Sequence, residues 1–413
     1  MRIVIVSRRY HPYLGGIETQ TRLLASRLAR RHHVEIVCEG VHDVDPPYGF
    51  KVLEDSLLLP RPHRGTDGPV RVTGMGATAG DRARMFPVAV RAFPWRRQRY
   101  FDRLQRFGYR HYRRVYVPKL RALVRGADVV HSLAHSYLGW AAQEAARAEG
   151  VPFVVTPYVH PGQYGDDAAN VAYYRRADAV FALLETDERK LADLGVPRER
   201  LRLSGVTPLL PETSDAAGFR ARHGLGGRPV VLFLGRLEEY KGALALLRSA
   251  AHIWRDLPDT HLLFAGPARA RELRWFSARR DDRIRHLGLI NEQEKADALA
   301  ACDLFCMPSR FEVLPAVYLE AWAYGRAVVG GTAYGLRELI EGNGAGVTVE
   351  QDPERIAAHL VALLRDEPRR RAMGARGRAL VERRFSVEAL ARCTEGVYAE
   401  VSGPRAALAA RAS

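Results

Sequence analysis

The sequence of 413 residues predicts an α/β fold built from two doubly wound units, each with a parallel sheet covered by helices. Short buried strands alternate with amphipathic helices in the first half, and the alternation begins again after a segment rich in Pro, Gly and Thr at 206–228. The length is also about two to three times that of an ordinary domain. We therefore expect one Rossmann-like domain at 1–207 and a second at 208–389.

The first half opens with a strand, a loop and a helix. Arg2–Val6 is a β-branched run typical of a buried strand, and Glu18–Arg31 carries leucines at helical spacing. Residues 61–90 have weak periodicity and are expected to form a loop or insertion. Further strands are predicted at Val34–Cys38, Asp128–His131, Phe153–Thr156, Ala179–Leu183 and Leu201–Leu203.

The second half repeats the alternation of strand and helix, which is typical of a doubly wound unit. Strands are predicted at Pro229–Leu234, His261–Ala265, Ile284–Leu287, Leu304–Met307, Ala327–Val329 and Ala345–Val349. Helices are predicted at Gly242–Trp254, Glu292–Ala301, Ala316–Ala323, Pro353–Arg365 and Pro368–Arg384.

The chain is strongly basic. It carries 63 Lys and Arg against 47 Asp and Glu, a net charge of +16, and residues 1–207 hold +12 of that charge. A basic first half favours an acidic partner, which could be nucleic acid, an anionic membrane surface or a phosphorylated ligand. Only five of the 63 basic residues are lysines. So high an arginine content also fits a GC-rich genome.

Residues 91–125 contain twelve Arg or Lys, eight aromatic residues and a single acid, Asp102. They are expected to form one or two basic amphipathic helices. In one interpretation this segment covers the sheet of the first domain, with its arginines in solvent. In the other it is an interfacial patch that binds anionic lipid and presents a lipid-linked acceptor.

The expected compartment is the cytoplasm, with peripheral attachment to the inner face of the plasma membrane as the alternative. No apolar run reaches the ~20 residues that span a bilayer, and the apolar start at Met1–Ser7 is too short for a signal peptide. The four cysteines, at 38, 302, 306 and 393, are not spaced as a disulfide framework.

Two glutamates mark the strongest candidate site, in the segment Pro308–Ala321. Glu312 and Glu320 stand eight residues apart, the first in a loop after a predicted strand and the second early in a helix that begins near Pro315. Both can face the crevice at the carboxyl end of the sheet, where doubly wound domains bind ligands. Carboxylates suit sugar and ribose hydroxyls, and free amides at a helix start suit phosphate.

A second candidate site is the loop Gly235–Gly242, which combines glycine with two cations. Arg236 and Lys241 could neutralise a diphosphate, and glycine lets the backbone approach it. No Gly-Lys-Ser/Thr occurs, which excludes a P-loop. Gly15 and Gly16 give a weaker signal, because amides ahead of a helix could meet an anion.

Histidines follow two neighbouring strands of the first domain. His131 and His135 lie at and just after the end of one strand, and His160 follows the next. Because strand ends of one sheet converge, these side chains could line one pocket.

These motifs together resemble the family-4 retaining glycosyltransferases, a group 1 family of the GT-B fold. The resemblance rests on Gly-Gly-Ile-Glu at 15–18, Gly-Arg-Leu…Lys-Gly at 235–242 and Pro-Ser-Arg-Phe-Glu…Glu-Ala at 308–321, with further matches at 177–180 and 384–388. It implies two Rossmann-like domains facing across a cleft, the first for the acceptor and the second for the nucleotide sugar. It also implies a C-terminal tail at 390–413 that crosses back to the first domain.

The resemblance assigns roles in donor binding. Glu312 would contact the sugar hydroxyls, and Glu320 would hold the ribose. Arg236 and Lys241 would bind the diphosphate. Gly16 would approach the donor from the first domain. Three further donor contacts are implied, at Ile290, Val313 and Leu314.

The polar residue at the reacting centre would be His135, with His131 as a rival because the histidine motif carries two extra residues. Tyr158 stands where many relatives have histidine, and it joins His131 and His160 on the implied acceptor side. Val313 departs from the family pattern, which commonly has glycine there.

The implied reaction moves a hexose from a nucleotide-diphosphate sugar to an acceptor hydroxyl, with retention of configuration and without a metal or other cofactor. The acceptor could be a sugar, a polysaccharide, a lipid-linked molecule or another small molecule. Two alternatives stay open, a non-hydrolysing nucleotide-sugar epimerase on the same fold and a basic nucleic-acid-binding protein. No nucleic-acid motif is visible, so a nucleic-acid partner is not expected.

Overall fold

The computed structural model describes residues 1–13, 15–39, 61–92, 101–133, 136–160, 162, 164–277 and 281–412. The chain forms two compact units, one of Met1–Ser204 with Leu390–Ser413 and the other of Gly205–Ala389. The sequence places the first boundary a few residues later, after 207. The C-terminal segment belongs to the first unit.

The sheet of the first unit is built on a central parallel core. Its strands, within the described residues, are β1 (Arg2–Ser7), β2 (His33–Cys38), β3 (His63–Asp67), β4 (Val70–Gly74), β5 (Val129–Ser132), β6 (Phe153–Val155), β7 (Ala179–Ala182) and β8 (Leu201–Leu203). They lie in the order β3-β4-β2-β1-β5-β6-β7-β8. Because the order reverses at β1, between β2 and β5, the carboxyl end of β1 is the ligand-binding switch point of a doubly wound sheet.

The prediction of a loop or insertion at 61–90 is wrong. Those residues form the β3–β4 hairpin, which adds one antiparallel pair to the sheet, and most of a helix at 79–92. The sequence signal was weak because β3 is an exposed edge strand with the polar sequence His-Arg-Gly-Thr-Asp. Asp67 at its end accepts two hydrogen bonds from the Arg22 guanidinium, at 2.7 and 3.0 Å, and these attach the hairpin to the first helix.

The sheet of the second unit is entirely parallel. Within the described ranges its strands are β9 (Val230–Leu234), β10 (His261–Ala265), β11 (Ile284–Gly288), β12 (Leu304–Met307), β13 (Ala327–Gly330) and β14 (Gly346–Thr348). They lie in the order β11-β10-β9-β12-β13-β14. The switch point falls between β9 and β12, so the loops after these two strands share one edge. These are the loops that carry the predicted cations and glutamates.

Helices cover both sheets. Those described are α1 (Gly16–Leu28), α2 (Ala79–Ala92), α3 (Phe101–Val124), α4 (Tyr137–Ala148), α5 (Ala168–Arg175), α6 (Glu185–Asp193), α7 (Ala216–Arg222), α8 (Ala243–Asp256), α9 (Ala270–Ser277), α10 (Glu292–Ala301), α11 (Ala316–Ala323), α12 (Leu336–Ile340), α13 (Pro353–Arg365), α14 (Glu367–Leu380) and α15 (Val387–Ala412).

Side-chain caps set where several of these helices begin. Asn291 accepts the N–H of Glu294 at the start of α10, and the Glu294 carboxylate accepts the N–H of Asn291 in return. Asp352 and Asp366 cap α13 and α14, and each of these helices has a proline in its first turn. Such caps satisfy backbone donors that a helix start leaves free. Among the helices of the described part, none is both long enough and apolar enough to span a bilayer.

Helix α3 turns two of its tyrosines inward. Tyr112 and Tyr116 are fully buried, with their rings stacked 4.3 Å apart, and the Tyr116 hydroxyl donates to the Gly76 carbonyl at 2.7 Å. Arg113 pairs with Glu144 of α4 at 2.6 Å. These contacts fit the interpretation in which the predicted segment 91–125 covers the sheet. Residues 93–100 of that segment lie outside the described residues.

The C-terminal helix α15 is attached to the first sheet through a buried histidine. His131 on β5 is 1% exposed, its Nδ1 lies 2.7 Å from the Tyr398 hydroxyl of α15, and its Nε2 lies 2.7 Å from Thr156 Oγ1. At the surface of the same helix, Glu395 lies 3.1 Å from His32. Burial lowers the pKa of His131 to about 3, so the ring stays neutral near neutral pH.

The neutral state of His131 predicts a pH-dependent loss of stability. The unfolded ring binds a proton below about pH 6.5 whereas the folded ring does not until near pH 3, so stability falls as the pH drops through this range. His131→Gln cannot titrate, and between pH 6.5 and 4.5 it should lose about 2–3 kcal/mol less unfolding free energy than the wild type. Urea denaturation at several pH values measures this.

The matched control is His33→Gln, because His33 is exposed at the start of β2. It should follow the wild-type pH profile. Parallel profiles for the His131 and His33 variants would contradict the assignment.

Candidate active site

Three glycines leave bare backbone at the carboxyl ends of β9, β10 and β11. Gly235, Gly266 and Gly288 all have positive φ angles, of 143°, 135° and 72°. A Cβ atom on Gly266 would lie only 2.1 Å from the Gly235 carbonyl oxygen, so no side chain fits there. The Gly266 N–H donates to the Gly288 carbonyl at 2.8 Å. At these three strand ends an approaching ligand would therefore meet backbone rather than side chains.

The loop after β9 ends at a glycine that contacts the loop after β12. Gly242 has a φ of 89° and immediately precedes α8. A Cβ atom there would lie 2.6 Å from Pro308 Cγ and 2.8 Å from the Pro308 carbonyl oxygen. Only glycine allows this close approach, which places Lys241 beside the loop that carries Glu312.

Lys241 and Glu312 form an ion pair between Nζ and Oε1. Their side chains retain only 18% and 9% of their accessible surface. The Lys241 ammonium also lies 5.3 Å from the centre of the Tyr240 ring. The structure thus joins two residues from different predicted clusters, separated by 71 positions in sequence.

Arg236 follows Gly235 and has an exposed side chain, so this guanidinium lies near the surface of the same loop. Phe311, which precedes Glu312, is 45% exposed and packs near Tyr240, with ring centroids 6.2 Å apart. The two loops that carry the buried ion pair therefore also carry an exposed cation and an exposed aromatic side chain.

Glu320 lies in α11, which begins directly after Pro315 as predicted. Its Oε1 accepts a hydrogen bond from Lys295 Nζ at 2.8 Å, and the same ammonium lies 2.5 Å from Glu292. Glu320 is 4% exposed. Its Oε2 is buried and makes no hydrogen bond of normal geometry, although the Leu209 backbone amide lowers the pKa of this carboxylate.

Burial governs the protonation of this pair. It raises the pKa of Glu320, and the Lys295 ammonium opposes that rise. Burial alone would lower the pKa of Lys295, but the neighbouring Glu320 and Glu292 outweigh it and raise that pKa. The pair can therefore persist as an ion pair inside the protein.

The remaining predicted donor residues of this unit lie along the same edge. Val313 and Leu314 have buried side chains, 7% and 8% exposed, so only their backbone could meet a ligand. Ile290 follows β11 and is half-buried, next to Leu289, which is 74% exposed. Their predicted donor contacts stay predictions.

The first unit holds the glycine motif at its own switch point. Gly16 is the first residue of α1, and the Glu18 carboxylate folds back so closely that a Cβ on Gly15 would lie 2.1 Å from its Oε2. Tyr158 is buried, and burial together with the charge of Glu18 raises its pKa. The motif and Tyr158 are therefore neighbours in the fold.

The histidines do not share one environment. His135 lies outside the described residues, so its predicted place at the reacting centre stays a prediction. His131 has both ring nitrogens occupied in the core, as described above, which favours a structural role over an acceptor contact. His160 is half-buried, and its ring lies 4.3 Å from that of Tyr164.

Two residues of the second unit that contact these motifs were not identified from the sequence. Lys295 forms an i,i+3 pair with Glu292, which is a recognisable helix pattern, but nothing in the sequence links it to Glu320. Gln351 donates from Nε2 to the carbonyl oxygens of Tyr240, at 2.7 Å, and Pro308, at 2.8 Å. No local pattern predicts that contact.

Two family models match the chain, one in each half. "Glycosyl transferase 4-like domain" matches residues 15–206, and "Glycosyl transferases group 1" matches residues 228–366. A GDP-mannose-dependent monoacylated alpha-(1-6)-phosphatidylinositol monomannoside mannosyltransferase from Corynebacterium glutamicum is 31% identical over 278 residues, which cover 64% of this chain and 68% of that protein. This chain belongs to the group 1 glycosyltransferases. The family assignment made from the sequence is confirmed.

A second relative extends the match along the glycosyltransferase. A GDP-mannose-dependent alpha-(1-6)-phosphatidylinositol monomannoside mannosyltransferase from Mycolicibacterium smegmatis is 26% identical over 403 residues, covering 91% of this chain and 92% of that protein. These matches support a hexosyltransferase that uses a nucleotide sugar. They favour this activity over the two alternatives, the epimerase and the nucleic-acid-binding protein.

The fold of the glycosyltransferase also has solved counterparts. The Anabaena HepE protein, solved in complex with UDP, superposes with a TM-score of 0.69 at 18% identity and covers 97% of this chain and 100% of that chain. The predicted fold class, GT-B with two Rossmann-like domains, is confirmed.

The Lys295–Glu320 pair predicts a pH-dependent stability change. Lys295→Met leaves the Glu320 carboxylate buried without this cation, which should cost about 3–5 kcal/mol of unfolding free energy near neutral pH. Without the Lys295 ammonium that opposes it, burial raises the pKa of Glu320 further. The folded variant therefore holds the Glu320 proton to a higher pH than the wild type does, and it loses stability relative to the wild type as the pH rises. The deficit should be larger at pH 8 than at pH 5, as measured by thermal denaturation.

Lys190→Met on α6 is the control, since it also removes a half-buried lysine but lies in the other unit. Its deficit should be small and independent of pH. An equal deficit for the Lys295 variant at pH 5 and pH 8 would refute a stabilising role of the ion pair with Glu320.

Proposed function

We propose that this glycosyltransferase moves mannose from GDP-mannose to a hydroxyl of a phosphatidylinositol-linked mannoside, with retention of configuration and without a metal ion. The observation that carries the proposal is the joining of Lys241 and Glu312 at the edge that also holds Glu320. The named activities of the Corynebacterium and Mycolicibacterium relatives support this choice of donor and acceptor.

Lys241 is the proposed diphosphate ligand. In the structure its ammonium is neutralised by Glu312, within a mostly buried contact. A diphosphate carries more negative charge than one carboxylate and can replace Glu312 as the partner of the ammonium. The exchange would release the Glu312 carboxylate to accept hydrogen bonds from sugar hydroxyls. Arg236, exposed on the same loop, would add a second positive charge.

Glu320 is the proposed ribose ligand. Its Oε1 is held by Lys295, while Oε2 retains acceptor capacity in a buried position. A carboxylate held from one side can accept hydrogen bonds from neighbouring ribose hydroxyls through its other oxygen. The spacing of Glu312 and Glu320 would thus match the sugar and ribose ends of one donor.

The proposed chemistry depends on charge stabilisation. As the bond between the sugar and the diphosphate breaks, negative charge grows on the diphosphate, and Lys241, Arg236 and nearby backbone amides would stabilise it. The acceptor hydroxyl would attack from the face that the leaving group vacates, and its proton would pass to an oxygen of the departing diphosphate. His135 is the proposed polar group at this centre. The first unit, with Gly16, Tyr158 and His160, is the proposed acceptor side.

Replacing Lys241 tests the donor site. Lys241→Ala should lower kcat/KM for GDP-mannose by about 10²–10³-fold, because a positive charge that stabilises the leaving group is lost. Release of GDP in the presence of a phosphatidylinositol mannoside measures this. Lys190→Ala in the first unit is the control and should keep wild-type turnover. Near-normal activity of the Lys241 variant would refute its role.

A set of candidate nucleotides and nucleotide sugars tests which base the enzyme binds, and the product tests the type of reaction. Thermal stabilisation by GDP, UDP and their sugar conjugates should be greatest for the GDP series, because a ligand that binds only the folded state raises the Tm. The anomeric configuration of the product and its yield in EDTA test retention and metal independence. Preference for UDP-glucose would overturn the proposed donor without affecting the site.

We also propose that the acceptor is taken from an anionic membrane surface beside α3. Arg106, Arg110 and Arg114 are exposed at spacings of four residues and therefore lie along one side of that helix. Tyr112 and Tyr116 face inward, so this positive stripe is the feature of α3 that is proposed to face the lipid. Each arginine near an anionic surface contributes about 1 kcal/mol of binding.

Liposome co-sedimentation tests this stripe. The triple change to glutamine at 106, 110 and 114 should weaken binding to phosphatidylinositol-containing vesicles roughly 100-fold and leave the weak binding to neutral vesicles unchanged. Equal binding of the variant and the wild type would contradict the proposal. The control replaces three scattered exposed arginines of the same unit, Arg30, Arg147 and Arg198.

A further inference from the structure

The two loops that carry Lys241 and Glu312 are held together through their backbones. The Arg310 N–H, in the loop after β12, donates to the Tyr240 carbonyl, in the loop after β9, at 2.9 Å. The close approach of Gly242 to Pro308 adds a second contact. The relative position of the two charged side chains therefore depends on how these loops meet.

A third loop supplies a further connection between them. Gln351 follows β14 and immediately precedes Asp352, the cap of α13. Its Nε2 donates to the Tyr240 carbonyl at 2.7 Å and to the Pro308 carbonyl at 2.8 Å. A single side-chain amide thus uses both of its N–H groups, one on each loop.

We propose that Gln351 is a positioning residue that fixes the Lys241–Glu312 arrangement and thereby sets donor affinity and turnover. The inference rests on the proposed function of that pair. Gln351 acts through the two carbonyls it binds, next to Lys241 in one loop and four residues before Glu312 in the other.

The physical basis is the pairing of two carbonyl oxygens. Both accept from one nitrogen, so they lie close together with like partial charges facing the same donor. Without the amide, the half-buried carbonyls lose hydrogen bonds and repel each other, and the loops can separate. A displacement of about 1 Å at a reacting centre can cost ~10²-fold in rate. Loss of the amide should therefore affect catalysis more than folding.

Three substitutions of Gln351 distinguish the hydrogen bonds that its side chain donates from the space that it fills. Gln351→Met has similar length but cannot donate, and Gln351→Glu places an acceptor against two carbonyl oxygens. Gln351→Lys can donate to both carbonyls again. For the Met and Glu variants we expect kcat/KM for GDP-mannose to fall by about 10–100-fold, with an unchanged KM for the acceptor. The Lys variant should recover to within about threefold of wild type.

The control is Gln143→Met in the first unit. Gln143 also donates its amide to a backbone carbonyl, that of Tyr173 at 2.9 Å. It should lower the Tm by an amount similar to Gln351→Met while leaving both KM values unchanged. If the two variants share the same kinetic profile, or if the Lys variant is as impaired as the Met variant, the positioning role is wrong.

Inorganic pyrophosphate provides a readout that is independent of base and sugar. Calorimetry should show weaker pyrophosphate binding to the Met and Glu variants than to the wild type. If the wild type binds pyrophosphate but does not turn over GDP-mannose, the proposed donor fails and the Gln351 comparison still stands on pyrophosphate affinity. If the wild type does not bind pyrophosphate, or if all variants bind it equally, the positioning role is overturned.

Discussion

The contact between Gly242 and Pro308 determines where the charges of the second unit lie. Because a side chain at 242 would collide with the Pro308 backbone, the loops after β9 and β12 can meet only through glycine. Their meeting brings a lysine and a glutamate that are distant in sequence into one ion pair. The topology contributes as well, since β9 and β12 are neighbours at the switch point of the sheet.

The charged side chains of the candidate site form two internal ion pairs, Lys241–Glu312 and Lys295–Glu320. Burying a lone carboxylate is costly, and a neighbouring ammonium offsets much of that cost. The two pairs differ in their surroundings. Lys241 lies in the loop that also carries the exposed Arg236, whereas Lys295 is held by a second acid, Glu292. The first pair is therefore the one suited to exchange partners with an anionic ligand, and the second is suited to hold its carboxylate in place.

Much of the fold could be predicted from the sequence, because parallel strands buried on both faces appear as short apolar runs separated by helical patterns. The site was predicted as far as local spacing reaches. Glu312 and Glu320 flank a helix start, and Arg236 and Lys241 follow a strand. Lys295 and Gln351 were missed because their contacts join segments that are far apart in sequence. The β3–β4 hairpin was missed because an exposed edge strand needs no apolar alternation.

His131 shows a second limit of prediction from local sequence. The end of β5 placed His131 near a switch point, and its position in sequence resembled that of a reacting group. The partner that gives it a structural role, Tyr398, comes from the far end of the chain. A residue's chemistry is thus decided by a neighbour that local sequence cannot reveal.

The position of α15 also has a consequence for biosynthesis. The helix that completes the first unit is made only after all of Gly205–Ala389. Until then the nascent chain lacks Tyr398, the partner of His131 Nδ1. The amino-terminal half must therefore wait for the carboxyl-terminal half before it can finish folding.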